Sequence, residues 1–473
     1  MILTREQINR YLRQIIMPEI SGPGQKKILE TSVFICGGSV QDIAPAVYYL
    51  AGAGLGRIYC RVDDTQGMDK LFADVHDLNG DVTIEQADGG GEFRVFLGKP
   101  EFILQKSAPL PGSFAPTIVS LYNGWQGGLQ VFKDQDSLRA FLAKLPEKEP
   151  SPERAARDTT GEIVSFCLLG TLCAMEIIKL ALELGETADQ FLYANLLSME
   201  FVRLGKEESG AKLKELVMGA ETGTSPRELA HHKVLIVGAG GLGAPVAYTL
   251  ALAGVGTIGL VDYDNVEISN LHRQIVHAFS RIGQPKVESA TVFLKGINPG
   301  LRINCYKTAL SKENVFEIID DYDVIVDALD NFPTRFLLND ACFFAKKPLV
   351  DAGVIRFDGT CMTILNPEGP CYRCRYPEIP APGSTPSCSE VGVLGPLPGI
   401  MGFMQSAEVI KLLTGQGTLL SDRIIFFDGL YTDFCTIHLS KKSTCPLCGT
   451  NPTIHELQEY EFVCSDTAQE SNT

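Results

Sequence analysis

Basic residues are in short supply in this chain: 41 Lys and Arg against 57 Asp and Glu leave a formal net charge of −16 over 473 residues. A nucleic-acid partner normally requires a basic face, so the balance argues against one. Cysteine is sparse as well. Fourteen thiols in a chain of this length are too few for a disulfide-stapled fold. Several (Cys36, Cys167, Cys173, Cys342) stand singly in apolar runs, where buried reduced thiols are expected. No secretory leader is expected, because MILTREQINRYLRQ reads as a charged helical pattern. Residues 234–261 are 28 uncharged positions, long enough to span a bilayer, but seven of them are glycines. Their order is apolar run, glycine turn, small-residue helix, apolar run, which reads as strand–turn–helix–strand with buried parallel strands. The expectation is a cytoplasmic protein with no membrane partner.

What is present is a repeat. Residues 234–264, VLIVGAGGLGAPVAYTLALAGVGTIGLVDYD, match residues 34–64, FICGGSVQDIAPAVYYLAGAGLGRIYCRVDD, without a gap. Pro245 stands over Pro45, Gly254 over Gly54 and Asp264 over Asp64. The turn Gly238-Ala-Gly-Gly-Leu-Gly243, however, faces Gly38-Ser-Val-Gln-Asp-Ile43, and Asp262 faces Val62. A second match pairs GTLCAMEIIKLALELG at 170–185 with GFMQSAEVIKLLTGQG at 402–417, so that Glu176 and Lys179 face Glu408 and Lys411.

A length of 473 residues suits two domains of about 200 residues each. The divisions expected are 1–206, a polar connector at 207–229, a second domain at 230–450 and a tail at 451–473. Positions 456–473 hold five acidic and no basic residues, as a solvated end would. In the second domain, strand-like runs at 234–237, 258–262, 302–306, 323–327, 348–352 and 360–365 alternate with helical patterns such as 283–296 and 334–345. The fold class expected is α/β: two Rossmann-like domains in tandem, mostly parallel sheets with helices on both faces, with ligands at the carboxyl ends of the strands.

Gly238, Gly240 and Gly243 follow a strand and open a helix, and Asp262 lies nineteen residues after the last glycine. Glycines here permit a tight turn and close approach to phosphates, the helix N-terminus favours anions, and Asp262 can accept from a ribose hydroxyl. Such a motif alone also suits NAD. Asn270-Leu-His-Arg273-Gln274 and Lys286 follow. An Arg and a Lys beyond a nucleotide turn suit phosphates undergoing transfer, where catalysis is mainly positioning and charge neutralisation. Asp330, three residues past the apolar run ending at Asp327, is placed to hold magnesium on a triphosphate. Any one of these charges could equally be a surface ion pair; the ordered set argues for a site.

Together GAGGLG, LVDYD, SNLHRQ, GQPKVES, DALDNFPTR, PCYRC and CPLCG resemble the ThiF/MoeB/HesA family, relatives of the ubiquitin-activating enzymes. The resemblance covers 230–449 and implies ATP-dependent adenylation of the C-terminal carboxylate of a small ubiquitin-like sulfur carrier ending in Gly-Gly. It implies Gly241 against the phosphates, Asp262 on the ribose, Asn270, Arg273 and Lys286 on the phosphates, and Asp330 on magnesium. Asp264, Gln274 and Asn331 fall in the same motifs and are grouped with the cofactor-binding residues.

Cys371-x-x-Cys374 and Cys445-x-x-Cys448 bound a 78-residue span. Two such pairs suit a closed, structural tetrahedral zinc site. Cys388 follows the Pro/Gly/Ser-rich PEIPAPGSTPS. In similar proteins a cysteine here forms a thioester or persulfide, and a loop thiol without covalent role is the alternative. The 25 residues after Cys448 cannot hold a sulfurtransferase domain, so a separate sulfur-donor protein is expected.

The first domain lacks the glycines, the ribose acid and both CxxC pairs, and Ala156 stands near where Cys388 would be. Yet it opens with Arg10-Tyr-Leu-Arg13-Gln14, which resembles the segment that opens family members. In homodimeric relatives the second Arg of that segment reaches the partner's ATP. The second domain has no copy. The expectation is an internal pseudo-dimer in which Arg13 acts in cis on the second domain's ATP. Two other readings stay open: adenylation of a peptide or tRNA base by a related enzyme, and an NAD-dependent oxidoreductase, which would leave Arg273, Lys286, Asp330 and Cys388 idle.

Overall fold

Two eight-stranded sheets are laid down one after the other with the same strand order. The computed structural model describes residues 3–106, 113–145, 159–218, 226–381 and 388–458. The first sheet contains β1 (Ser32–Ser39), β2 (Arg57–Asp64), β3 (Thr83–Gln86), β4 (Phe93–Gly98), β5 (Thr117–Asn123), β6 (Gln126–Phe132), β7 (Phe191–Asn195) and β8 (Glu200–Leu204). The second contains β9 (Lys233–Val237), β10 (Thr257–Val261), β11 (Arg302–Tyr306), β12 (Val324–Asp327), β13 (Leu349–Ile355), β14 (Asp358–Ile364), β15 (Arg423–Asp428) and β16 (Asp433–His438). Their orders are β3-β2-β1-β4-β5-β6-β7-β8 and β11-β10-β9-β12-β13-β14-β15-β16. In each, the strands from the β3 or β11 edge through β5 or β13 are parallel, and the remaining pairings are antiparallel. Strand β10 is buried at every position, as a central parallel strand covered on both faces must be.

The same punctuation ends the first helix of each unit. Helix Val40–Ala53 stops at Gly54 with φ 88°, and helix Gly243–Ala253 stops at Gly254 with φ 85°. That left-handed conformation is nearly free only for glycine. The stretch read as a polar connector contains helix Lys206–Met218, whose Leu213, Leu216 and Val217 are buried in the first unit. Ala156 and residues 459–473 lie outside the described residues.

Four helices join the two sheets: Val40–Ala53, Thr159–Leu182, Gly243–Ala253 and Pro396–Thr414. They are apolar around nearly their whole circumference, which requires burial on all sides. Thr160–Leu182 is long and apolar enough to cross a membrane by length and composition, and 89% of its apolar window is buried inside the protein. One apolar core runs through all four. Across the seam Tyr48 meets Tyr248 edge to face at 6.3 Å, and Tyr49 meets Phe403 at 6.2 Å.

The contacts across this seam are reciprocal. Glu186 N donates to Leu430 O at 2.9 Å, and Thr418 N donates to Leu197 O at 2.7 Å. Lys179 donates to Thr432, and Lys411 to Leu197 O. This is the exchange of equivalent contacts expected across a two-fold axis. The matched pairs Glu176–Lys179 and Glu408–Lys411 are ion pairs with fully buried side chains, and burial lowers the pKa of both ammonium groups. Each carboxylate also accepts a backbone N–H, from Ala188 and from Leu420. Removing one charge of a satisfied buried pair strands the other. Lys411→Met is therefore expected to lower stability by about 3–5 kcal/mol in urea unfolding; a loss below about 1 kcal/mol would show that the pair does not hold the seam.

Candidate active site

The carboxyl ends of β9, β10 and β12 open into a cavity of about 580 Å³. Its floor is the turn after β9. Gly238 sits at φ 103°, and a Cβ there would lie 2.5 Å from Ala328 O. At Gly243 a Cβ would lie 1.8 Å from Gly238 O. Neither position can carry a side chain, so the turn closes tightly and the helix starts against its own strand. Gly240 and Gly241 line the cavity with Gly238; Gly243 lies behind it.

Asp262, at the end of β10, accepts from Ala239 N at 2.8 Å and from Asp264 N at 2.9 Å. Burial raises its pKa against the pull of Lys286. Lys286 opens helix Lys286–Ile297, with its ammonium 2.7 Å from Asp264 and 3.9 Å from Asp262. Sequence reasoning passed over His277, which braces the same turn. Its Nε2 lies 2.9 Å from Ala239 O and its Nδ1 3.0 Å from Ser289 Oγ. Since a carbonyl only accepts, Nε2 carries the proton and Nδ1 accepts from the hydroxyl. Burial pushes this imidazole down to about 3, so it stays neutral.

Residues 270–274 form one wall. Asn270 Oδ1 accepts from Glu267 N at 3.0 Å, and Arg273 Nη1 donates to Ser269 O at 3.0 Å. Gln274 is 3% exposed and its Oε1 meets no protein donor, although it lines the cavity. His272 between them is wholly buried, and burial with Arg273 beside it lowers its pKa well below the usual value.

The facing wall comes from the loop after β12. Asp330 is exposed to the cavity, and Asn331 Oδ1 accepts from Thr334 N at 3.0 Å to cap helix Phe332–Ala345. Beneath them lie three buried charges that were not singled out as site residues: Asp327, Arg335 and Asp351. The Arg of the DNxxxR pattern was legible; its partner Asp351, sixteen positions on and at the end of an apolar run, was not.

Arg13 also lines this cavity, although it belongs to the first sheet's unit. Its helix, Leu12–Ile15, is stapled to the second unit by the backbone. Val393 N donates to Arg13 O at 3.0 Å, and Gly395 N donates to Gln14 Oε1 at 3.2 Å. Gly392 is required there, since a Cβ would lie 2.4 Å from Arg13 O. Cys388 begins the short helix Cys388–Val391 just before this staple. Its side chain lies outside the described residues.

Cys371, Cys374, Cys445 and Cys448 are buried, with all four Sγ atoms within 4.8 Å of one another. Cys371 and Cys445 sulfurs are 3.6 Å apart, and Cys374 and Cys448 sulfurs 3.4 Å. Four thiolates at Zn–S distances of about 2.3 Å in a tetrahedron would be separated by about 3.8 Å, so the cluster fits such an ion. Tyr372, Arg375 and Tyr376, carried by or next to the first CxxC, line the cavity.

A glycine turn at a strand's carboxyl end, an acid on the next strand and converging Arg and Lys side chains define a nucleotide-binding α/β protein. The ThiF family model matches residues 217–447. The sulfur carrier protein adenylyltransferase of Thermus thermophilus is 41% identical over 268 residues, 56% of this chain and 99% of that one. The SAMP-activating enzyme E1 of Haloferax volcanii is 44% identical, over 50% of this chain and 86% of that one. The adenylyltransferase and sulfurtransferase MOCS3 of Danio rerio is 46% identical, and the match spans about half of each chain. A crystal structure of E. coli MccB with ATP has a TM-score of 0.42 at 22% identity, over 47% of this chain and 68% of that one. The chain belongs to the ThiF family, and its second unit is that family's adenylyltransferase domain.

Proposed function

We propose that the chain adenylates the C-terminal carboxylate of a small ubiquitin-like sulfur-carrier protein, at a site built from both units. The observation that carries this reading is that Arg13 of the first unit lines the same cavity as the glycine turn, Asp262, Arg273, Lys286 and Asp330 of the second. An incoming carboxylate oxygen attacks the α-phosphorus of ATP, the bond to the bridging oxygen breaks, and pyrophosphate leaves. Charge that builds on the phosphate oxygens is met by Arg13, Arg273 and Lys286. Lys286 exchanges Asp264 for phosphate as the nucleotide enters, while Asp262 keeps its backbone donors and accepts from the ribose. Asp330, a hard oxygen donor, suits magnesium, which when bound neutralises phosphate charge. The same chemistry leaves NAD-dependent hydride transfer without a use for the two arginines and the lysine.

The first unit, in this reading, binds no ATP. Where the second unit has its open glycine turn, Asp42 accepts from Ser39 N at 2.9 Å and from the Tyr122 hydroxyl. The helix N-terminus that would face a phosphate is thus closed by the chain's own carboxylate. What this unit contributes is Arg13, acting in cis. Cys388 Sγ attacks the acyl-adenylate carbonyl, releasing AMP and leaving the carrier as a thioester. Where a separate donor protein has first transferred sulfane sulfur from its own persulfide to Cys388, the same attack by the Cys388 persulfide gives an acyl persulfide and AMP. A cytoplasmic setting agrees with the buried free thiols of the core.

With a ubiquitin-like carrier ending in Gly-Gly, Arg13→Ala is expected to cut ATP–pyrophosphate exchange by 10³-fold or more, with unchanged circular dichroism. Calorimetry should give one ATP per chain. Exchange within threefold of the parent, or two ATP per chain, would refute the composite site. The four thiolates are assigned to a structural zinc. Metal analysis should find one zinc per chain, lost together with thermal stability in Cys374→Ser; a stable, zinc-free parent would contradict that assignment.

A further inference from the structure

We propose that Asp327, Arg335 and Asp351 form a buried clamp that fixes the Leu329–Asp330 peptide and so aims the Asp330 carboxylate into the cavity. The proposal rests on the reading of Asp330 as the magnesium ligand, and it makes the three positioning residues rather than catalytic ones. Leu329 is held at both of its backbone polar groups. Its N–H donates to Asp327 Oδ1 at 3.0 Å, and its carbonyl accepts from Arg335 Nη2. Arg335 is anchored in turn, with Nη1 donating to Asp351 Oδ1 at 2.7 Å and Nη2 to Ala352 O at 2.7 Å. Both hydrogens of Nη2 are therefore committed to protein carbonyls, although the side chain borders the cavity. Gln405 secures the strand below, donating to Asp327 O at 2.8 Å and to Val350 O at 3.1 Å.

Folding alone does not call for this arrangement. Asp327, Asp351 and Arg335 are 0%, 1% and 8% exposed, so two carboxylates share one guanidinium out of water. Asp327 Oδ2 has no protein hydrogen-bond partner. Burial pushes the Asp327 carboxyl up to about 7, with Arg335 opposing and Asp351 adding to the rise. Apolar residues of similar volume commonly match or exceed the stability of such a buried cluster. What they cannot do is hold a backbone N–H and a carbonyl on either side of one residue. Asp330, by contrast, is exposed and lines the cavity, and its carboxylate makes no ion pair or hydrogen bond among the described residues. A free ligand on a fixed peptide is the arrangement by which outer groups orient metal ligands, and breaking it typically costs 10–100-fold in metal affinity.

The test uses the full chain, a non-hydrolysable ATP analogue and Mn²⁺ as the probe cation, with Mn²⁺ binding followed by electron paramagnetic resonance. Asp327→Asn keeps an oxygen acceptor for Leu329 N–H and is expected to bind Mn²⁺ within threefold of the parent. Asp327→Ala and Arg335→Lys should weaken it about 10–100-fold, because lysine cannot reproduce the fork. Nucleotide affinity measured in EDTA should stay within threefold in all three. The proposal is overturned if Asp327→Ala or Arg335→Lys, folded by circular dichroism, binds Mn²⁺ as the parent does. It is overturned equally if Asp327→Asn is as impaired as Asp327→Ala. Asp330→Asn separates the two levels: parent-like Mn²⁺ binding there removes the underlying reading of Asp330, whereas a loss there with intact binding in the clamp variants removes the clamp alone.

Discussion

The four helices between the sheets are apolar around nearly their whole circumference, and neither unit can leave the other without exposing them to water. Helix Val40–Ala53 is buried at all but one position, and helix Pro396–Thr414 through Lys411. That burial fixes the relative position of the two sheets. The ion pairs Glu176–Lys179 and Glu408–Lys411 lie inside the seam, where a shift of either unit would uncouple buried charges from their partners. From this one constraint follows the placement of the N-terminal segment. The start of the first unit is pressed against residues 392–395 of the second, and Arg13 borders a cavity it does not share by sequence.

The cavity is charged on both signs but mostly self-paired. Lys286 rests on Asp264, Arg335 on Asp351, and Asp262 on two backbone amides. In the proposed reaction a triphosphate displaces some of these contacts and leaves others in place. Those left in place, around Leu329 and around Ala239, are the ones that set direction: they fix the turn and the Asp330 loop before any ligand arrives. Preorganisation of this kind is what makes charge stabilisation effective in transfer to phosphorus.

Much of this was legible in the sequence because it is local. The glycine turn, the acid that follows it and the six strand-like runs each occupy a few consecutive residues. Strands β9 to β14 lie within a few residues of the expected positions. The repeat offset also aligned Glu176 and Lys179 with Glu408 and Lys411, which the structure makes reciprocal. Three things were hidden. Helix Lys206–Met218 was read as a connector because its polar residues outnumber the three apolar ones that pack. His277 and Asp351 owe their importance to partners 38 and 16 residues away, and no spacing rule announces such pairs. The staple between Gln14 and Gly395 spans 381 residues and exists only because the seam brings them together. For Cys388 the sequence says more than the structure, which describes only its backbone.

The central claim is that one chain completes its own active site, Arg13 acting on the ATP of the same molecule. Mixing two inactive full-length variants, Arg13→Ala and Asp330→Asn, tests it most directly by ATP–pyrophosphate exchange. An internally completed site predicts no recovery at any mixing ratio or protein concentration, because each chain keeps its own defect. Exchange that rises with mixing and follows the concentration of mixed pairs would mean that Arg13 serves a second chain, and would contradict the account.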